Sequence, residues 1–253
     1  MATQEDDFVI SVIDVATHKI VYRYGTPGVY GLSAEHLWNP DDAQMLPDGY
    51  IIAADIKNCR IILIPPNGTA PSQVIGQTIY PCLHDPPARF GSPNGAFPMT
   101  NGHFLITEIN GDWVDEMNLA GRVFNAIHPP GITYPSDTNE VNPNLYLTAD
   151  YSSPGHIETF TPQGNLVWSY HPVAGAPQLD QPSLALPLPN GDILANDDYN
   201  DRVIVIDPST NQIVWQYGIT GQPGSSPGML DIPDGVDLAP PYSLDIVHAS
   251  TMG

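Results

Sequence analysis

The chain repeats one pattern of about sixteen residues five times, and this repeat constrains the fold more than any other feature. Each copy begins with a proline, passes through a turn and ends in a short strand that finishes on an acid or a histidine. The copies span residues 40–55, 93–108, 135–150, 182–197 and 233–248. Their starts recur at roughly fifty residues, a period that is typical of propeller blades.

Each of the first four copies is followed by two further strand-like runs. RIILIPP and SQVIGQ follow the first copy, and RVIVIDP and QIVWQYG follow the fourth. Alternating apolar residues bounded by turn formers are typical of strands, and a tight turn joins antiparallel neighbours. The pattern therefore predicts one four-stranded antiparallel sheet, or blade, for each repeat.

The fifth copy is followed by only five residues, so its third and fourth strands must come from elsewhere. The N-terminal runs FVISVID and KIVYRYG match the missing pair, and IDVATHKIVYRYG resembles IDPSTNQIVWQYG near the other end. We therefore predict a single domain over 1–253, an all-β five-bladed β-propeller whose last blade combines 233–250 with 8–25. Six blades are the alternative, but the repeat spacing leaves no room for a further unit. An open repeat array would be expected to carry distinct caps at its ends.

Composition limits the partners that we expect. The formal charge of −21 comes from 7 Lys and Arg against 28 Asp and Glu. Such a surface repels nucleic acid and anionic membranes. The sequence contains no apolar run of about 18 residues and no signal-peptide pattern at its start, so we expect no membrane insertion. The expected oligomeric state is a monomer, and the expected partner is a small-molecule ligand or another protein.

Two kinds of motif resemble known bacterial propellers. AADIKNCRIILI and ANDDYNDRVIVID resemble NHL-type repeats, while LPNGDILAND and DPSTNQIVWQYG resemble PQQ-binding-like and arylsulfotransferase-like propellers. The resemblance covers nearly the whole chain but consists of blade signatures, so it does not select an activity. No residue set matches a PQQ site. The resemblance and the scarcity of lysine lead us to expect an extracytoplasmic location.

The last residues of the five copies are expected to lie on one face of the propeller. They are Asp55, Glu108, Asp150, Asp197 and His248. A structural role is the simplest interpretation for Asp55 and Asp197, because Arg60 and Arg202 stand five residues further on and suit an ion pair.

The other three positions break this pattern. Glu108 faces Trp113 where an arginine would stand, Asp150 leads into SSPGH with no expected base nearby, and His248 replaces the acid. A carboxylate without a cation needs another partner, which a metal or a substrate could supply. Glu108, Asp150 and His248 are therefore the candidate catalytic residues, and with Asp55 and Asp197 they are the candidate metal ligands. The oxygen-rich set favours Ca²⁺ or Mg²⁺ over Zn²⁺.

Polar residues at the entries to the blades would surround this set. We call them the predicted funnel: His36, Asp41, Asp42, His84, Asn94, His128, Asp137, His171 and Asp234. Cys59 and Cys82 are expected on the same face. They could form a disulfide, although two free buried thiols are the favoured interpretation.

Two classes of function fit these features. The first is small-molecule binding in the funnel, with a metal-assisted hydrolase or lyase acting on an ester, a lactone or a sugar-like substrate as its most concrete form. The alternative is a non-catalytic interaction or scaffold propeller that binds another protein through its loops.

Overall fold

The computed structural model describes residues 1–76, 80–170, 172 and 177–238. Two compact units divide the chain: unit 1 comprises Met1–Pro98 and Gly102–Ala126, and unit 2 comprises Met99–Asn101 and Ile127–Gly253. The described residues form β-strands and three short 3₁₀ turns, and none of their helices is long or apolar enough to cross a bilayer.

Unit 1 contains three antiparallel sheets. Sheet 1 is β1 (Ala2–Gln4), β2 (Val9–Asp14) and β3 (Lys19–Tyr24); sheet 2 is β4 (Pro40–Met45), β5 (Ile51–Asp55), β6 (Arg60–Ile64) and β7 (Gln73–Ile75); sheet 3 is β8 (Pro93–Pro98), β9 (Phe104–Glu108), β10 (Trp113–Met117) and β11 (Val123–Ile127). Neighbours in each sheet are consecutive in the chain, so every connection is a hairpin.

Unit 2 contains two four-stranded sheets of the same order. Sheet 4 is β12 (Pro135–Asn142), β13 (Leu145–Asp150), β14 (His156–Phe160) and β15 (Leu166–Ser169); sheet 5 is β16 (Ala185–Pro187), β17 (Ile193–Asp197), β18 (Arg202–Asp207) and β19 (Gln212–Tyr217). The fold class is thus a five-bladed β-propeller, as the repeat predicts.

A turn glycine joins the first and second strands of sheets 2 and 5. Gly49 and Gly191 adopt φ of +84° and +92° between the first and second strands, a conformation that glycine reaches without strain. In sheets 2 to 5 the second strand then runs to its terminal acid. A 3₁₀ turn follows it in three blades, at Glu5–Asp7, Ile56–Asn58 and Asp198–Asn200, before the third strand begins.

The second strands form the centre of each core. All five residues of β5, β9 and β17 are buried, because both faces of these sheets are covered. In unit 1, Ile10, Leu37 and Ile62 belong to a cluster joining sheets 1 and 2, while a second cluster joins sheets 2 and 3. In unit 2 one cluster joins sheets 4 and 5. Side chains that pack between neighbouring sheets account for the apolar residues of the repeat.

Sheet 1 contains a strand that the repeat did not predict. Ala2–Gln4 pair with Val9–Ser11, and Gln4 lies opposite Val9 just as Asp55 lies opposite Arg60. The N-terminal residues thus occupy the second-strand position of this blade. Residues 233–238 form no strand, and 239–253, with His248, lie outside the described residues. The composite blade and the single domain over 1–253 therefore stay predictions.

Candidate functional site

The second strands of sheets 2 to 5 each end in a buried acid. Asp55, Glu108, Asp150 and Asp197 are at most 1% exposed, and each is the last residue of its strand. A buried carboxylate needs a cation, a proton or several hydrogen-bond donors. The four blades meet this need in two different ways.

Arginine neutralises the acid in sheets 2 and 5. Arg60 Nε donates to Asp55 Oδ2 at 2.7 Å, and Arg202 Nε donates to Asp197 Oδ2 at 2.7 Å. Asn58 Nδ2 adds a bond of 2.8 Å to Asp55 Oδ2. The predicted ion pairs are confirmed, and an arginine already neutralises each of these two carboxylates.

Histidine takes the place of arginine beside Glu108. Trp113 lies opposite Glu108 in the ladder, as the sequence predicts, and its ring supports the His84 imidazole in a stack with centroids 4.1 Å apart and planes 10° apart. His84 Nδ1 lies 3.1 Å from Glu108 Oε2, which also accepts a hydrogen bond from the Gly91 amide. The structure thus joins Glu108 to His84 of the predicted funnel.

Asp115 is a third member of this cluster, and sequence reasoning missed it. Its Oδ2 lies 3.7 Å from His84 Nδ1. The corresponding third-strand residues in sheets 2 and 5, Ile62 and Ile204, are apolar. The sequence did contain a signal for Asp115: an acid replaces isoleucine at this third-strand position in the blade where Trp113 replaces the arginine.

The cluster is deeply buried on its acidic side. Glu108 and Asp115 are both 0% exposed, whereas the His84 side chain is 19% exposed. No N–H or hydroxyl group in the described part of the chain donates to Glu108 Oε1 or to either Asp115 oxygen, and the two carboxyls hydrogen-bond to each other when they share a proton. One atom from each of His84, Glu108 and Asp115 lies within 4.8 Å of the others. We call these three residues the acid–histidine cluster.

Burial makes it costly to ionise both carboxyls of this cluster. It raises the pKa of Glu108 to about 7. Burial, followed by the hydrogen bond with Glu108 and then by the charge of Glu108, raises the pKa of Asp115 to about 9. Burial also lowers the pKa of His84, against the opposite effect of Asp115 and Asp85. At neutral pH the carboxyl pair therefore retains a shared proton unless a cation replaces it.

A disulfide holds the loop that carries His84. Cys59 and Cys82 are bonded, with Cα atoms 5.3 Å apart, and no free cysteine remains. The favoured interpretation of two free thiols is therefore wrong. The αL conformation of Cys59, at the end of a 3₁₀ turn, brings its side chain to the loop containing Cys82.

Asp150 also pairs with a histidine, which corrects the prediction that no base is nearby. His156, the last residue of SSPGH, lies opposite Asp150 in the ladder, and its Nδ1 is 3.1 Å from Asp150 Oδ2. Ser152 Oγ donates to the same oxygen at 2.6 Å. Glu158, two residues beyond His156, is 4% exposed, and burial followed by the Asp150 carboxylate raises its pKa to about 8. In both sheet 3 and sheet 4, therefore, a histidine and a second buried acid accompany the acid that ends the second strand.

The other residues of the predicted funnel have varied surroundings. Asp41 and Asp42 lie half-buried on β4, while Asn94 and Asp137 are buried on β8 and β12. His36 Nδ1 lies 2.8 Å from Ser33 Oγ, and His128 and Asp234 are exposed. His171 and His248 lie outside the described residues. A single funnel would combine residues of both units, and it stays a prediction.

Solved structures similar to this chain include known β-propellers. A protein of unknown function from Bacteroides caccae has a TM-score of 0.62 at 19% identity, over 83% of this chain and 68% of its own. A catalytically inactive histidine-to-alanine variant of virginiamycin B lyase from Staphylococcus aureus, with quinupristin, has a TM-score of 0.57 at 17% identity, over 86% and 65%. The WD40 β-propeller domain of Doa1 has a TM-score of 0.56 at 10% identity, over 84% and 62%.

This chain thus spans about two thirds of the length of these proteins. No family model matches its sequence, and no curated protein does. The NHL-like and PQQ-like motifs therefore remain a resemblance. At such identities the likeness shows the fold alone, which is that of a β-propeller.

Proposed function

We propose that the chain acts on a small molecule as a metal-assisted lyase or hydrolase, and that the acid–histidine cluster holds its metal ion. One observation carries the proposal: His84, Glu108 and Asp115 bring three ligand atoms within 4.8 Å, and no arginine or lysine of the described residues pairs with the two buried carboxyls. A divalent cation would supply the positive charge that arginine supplies in sheets 2 and 5.

The imidazole changes the ion that we expect. An all-carboxylate set would favour Ca²⁺ or Mg²⁺, whereas one imidazole with two carboxylates suits Zn²⁺ or a similar transition ion. Three protein ligands leave a coordination position for water or substrate, as in catalytic zinc sites. We therefore propose a zinc-like ion at this cluster.

The ion would act as a Lewis acid. It would polarise the carbonyl oxygen of an ester or a lactone, so that a base could remove a neighbouring proton or activate water. The His84 side chain, which is partly exposed, marks the side from which solvent reaches the cluster. His248 remains the predicted proton-transfer residue and lies outside the described residues.

The likeness to a lyase makes this class of reaction worth testing first. In the virginiamycin B lyase variant, loss of a histidine accompanies loss of catalysis. An elimination needs a base and an activated oxygen, and the proposed ion would provide the second. Quinupristin and a panel of simple esters and lactones are therefore the first substrates to test.

Metal binding tests the proposal directly. Protein treated with a chelator should bind one Zn²⁺ or Mn²⁺ in calorimetry, and Glu108→Gln with Asp115→Asn should weaken this binding at least about tenfold. His103→Asn is a matched control, because His103 Nδ1 lies 2.6 Å from Glu116 Oε1 in the same unit but outside the cluster.

Activity should follow the metal. Turnover of any substrate in the panel should disappear with the chelator, return with the ion and be lost in the double variant, while His103→Asn retains it. Failure of the wild-type protein to bind an ion at this cluster would overturn the metal-assisted function. A well-folded protein with neither metal nor turnover would instead support the interaction propeller.

A further inference from the structure

A second group of polar side chains lies in unit 2, near the end of the second strand of sheet 5. Ser183 precedes β16, Asn196 is on β17, Asp198 begins the 3₁₀ turn after β17, and Asp234 is in the segment that follows sheet 5. We call these four residues the oxygen cluster. None of them belongs to the acid–histidine cluster.

Hydrogen bonds connect the members of the oxygen cluster. Ser183 Oγ donates to Asp198 Oδ1 at 3.0 Å, and Asn196 Nδ2 donates to Ser183 Oγ at 3.2 Å. The Ser183 hydroxyl also interacts with the Asp234 carboxylate. Ser183 is therefore the shared centre of the group.

The cluster contains more acceptors than donors. A hydroxyl group has one hydrogen, so Ser183 can donate to Asp198 or to Asp234 but not to both at once. Asp198 Oδ2 and Asn196 Oδ1 have no hydrogen-bond partner in the described residues, although both side chains are 0% exposed. Buried oxygens without donors are costly unless a cation or a proton approaches them.

Negative charge makes the burial of these oxygens more costly. Burial, followed by the Asp234 carboxylate, raises the pKa of Asp198 to about 8. Arg202 is engaged by Asp197, Gln216 and Thr220. The Asp234 carboxylate thus acts electrostatically on Asp198, while the Arg202 guanidinium is paired with a different acid, Asp197.

We propose that Asp198, Asp234, Ser183 and Asn196 bind a hard divalent cation of the calcium type. The set offers carboxylate, amide and hydroxyl oxygens and no imidazole or thiol, which is the ligand chemistry that Ca²⁺ prefers. Asp234 is exposed, so the ion would enter from its side and water would complete the coordination.

Such an ion would link the segment that contains Asp234 to the 3₁₀ turn Asp198–Asn200. Ile232 N already donates to Asp201 Oδ1 at 3.4 Å, so this segment lies against the end of the same turn. An ion bridging Asp234 and Asp198 would add a contact close to that hydrogen bond. The ion would have a structural role, and this proposed site does not depend on the proposed catalytic function.

Terbium luminescence tests this site. Tb³⁺ replaces Ca²⁺ at oxygen sites and emits when a nearby tyrosine is excited, and Tyr151 interacts electrostatically with both Asp198 and Asp234. Wild-type protein should show saturable emission that Ca²⁺ displaces. Asp198→Asn and Asp234→Asn should each weaken binding at least about tenfold, because each removes one ligand charge. Tyr151→Phe should lower the emission but leave the Ca²⁺ affinity in calorimetry unchanged.

The Glu108→Gln, Asp115→Asn double variant separates the two sites. It should retain the Tb³⁺ and Ca²⁺ affinity of the wild-type protein, because its substitutions lie in unit 1. If Asp198→Asn does not fold, Asp234→Asn at the exposed position carries the test. Absence of saturable binding at millimolar Ca²⁺, or equal affinity in wild type and both aspartate variants, would overturn the proposal. Loss of binding in the unit 1 double variant would also overturn it.

Discussion

Glu158 should make this protein less stable as the pH rises from 5 to 7. The residue is 4% exposed, and burial followed by the Asp150 carboxylate raises its pKa from 4.5 to about 8. An acid whose pKa is higher in the folded state favours folding while it is protonated in both states. That contribution is lost as the pH rises from about 4.5 to about 8, because the unfolded chain ionises first.

The size of the effect follows from the two pKa values. One pKa unit corresponds to about 1.4 kcal/mol, so the free energy of unfolding should fall by about 2.5 kcal/mol between pH 5 and pH 7 through this group. Glu158→Gln removes the ionisation and keeps the shape of the neutral acid. Other buried acids titrate in the same direction, so the difference between wild type and variant isolates Glu158.

Urea unfolding at several pH values measures this difference. Tryptophan fluorescence can report on unit 2, because Trp168 packs against its core. The stability of the wild-type protein relative to Glu158→Gln should decline by about 2.5 kcal/mol from pH 5 to pH 7. Glu35→Gln, on an exposed loop, should run parallel to the wild type. Parallel curves for wild type and Glu158→Gln would refute the reasoning.

Three further predictions follow from the buried acids and the disulfide. Replacing Cys59 and Cys82 with alanine should lower the free energy of unfolding in urea by about 3 kcal/mol, since the disulfide joins residues separated by 23 positions. The same change should weaken Zn²⁺ binding in calorimetry, because the disulfide holds the loop that carries His84; unchanged stability and affinity would contradict this. Trp113→Arg should place beside Glu108 the arginine that sheets 2 and 5 contain, so Zn²⁺ binding should disappear; retained binding would argue against Glu108 as a ligand. Arg202→Met should cost about 3 to 5 kcal/mol because Asp197 would be left buried without a cation, and adding Asp197→Asn should recover part of the loss; no recovery would contradict the ion-pair explanation.

The repeat was sufficient to predict most of the fold. Prolines, turn glycines and alternating strands act locally, so they identify hairpins without knowledge of the contacts between sheets. Ala2–Gln4 escaped prediction because three residues are too few to show an alternating pattern. Their role depends on pairing with Val9–Ser11, which is a property of the folded sheet.

The candidate site was only partly predictable for a related reason. The spacing of five residues identified the Asp55–Arg60 and Asp197–Arg202 pairs, since both partners belong to one hairpin. His84 was predicted near the site but not as a partner of Glu108, because it comes from a loop 24 residues earlier. Asp115 and His156 lie on third strands, and their pairing with a second-strand acid depends on the register of the folded sheet.

Diffraction from a zinc-soaked crystal, measured at the zinc absorption edge, tests the proposed metal centre most directly. An anomalous peak should lie about 2.0 to 2.2 Å from His84 Nδ1 and from one carboxyl oxygen each of Glu108 and Asp115. A crystal with no peak between these residues, in which His84 remains hydrogen-bonded to Glu108, would contradict the account.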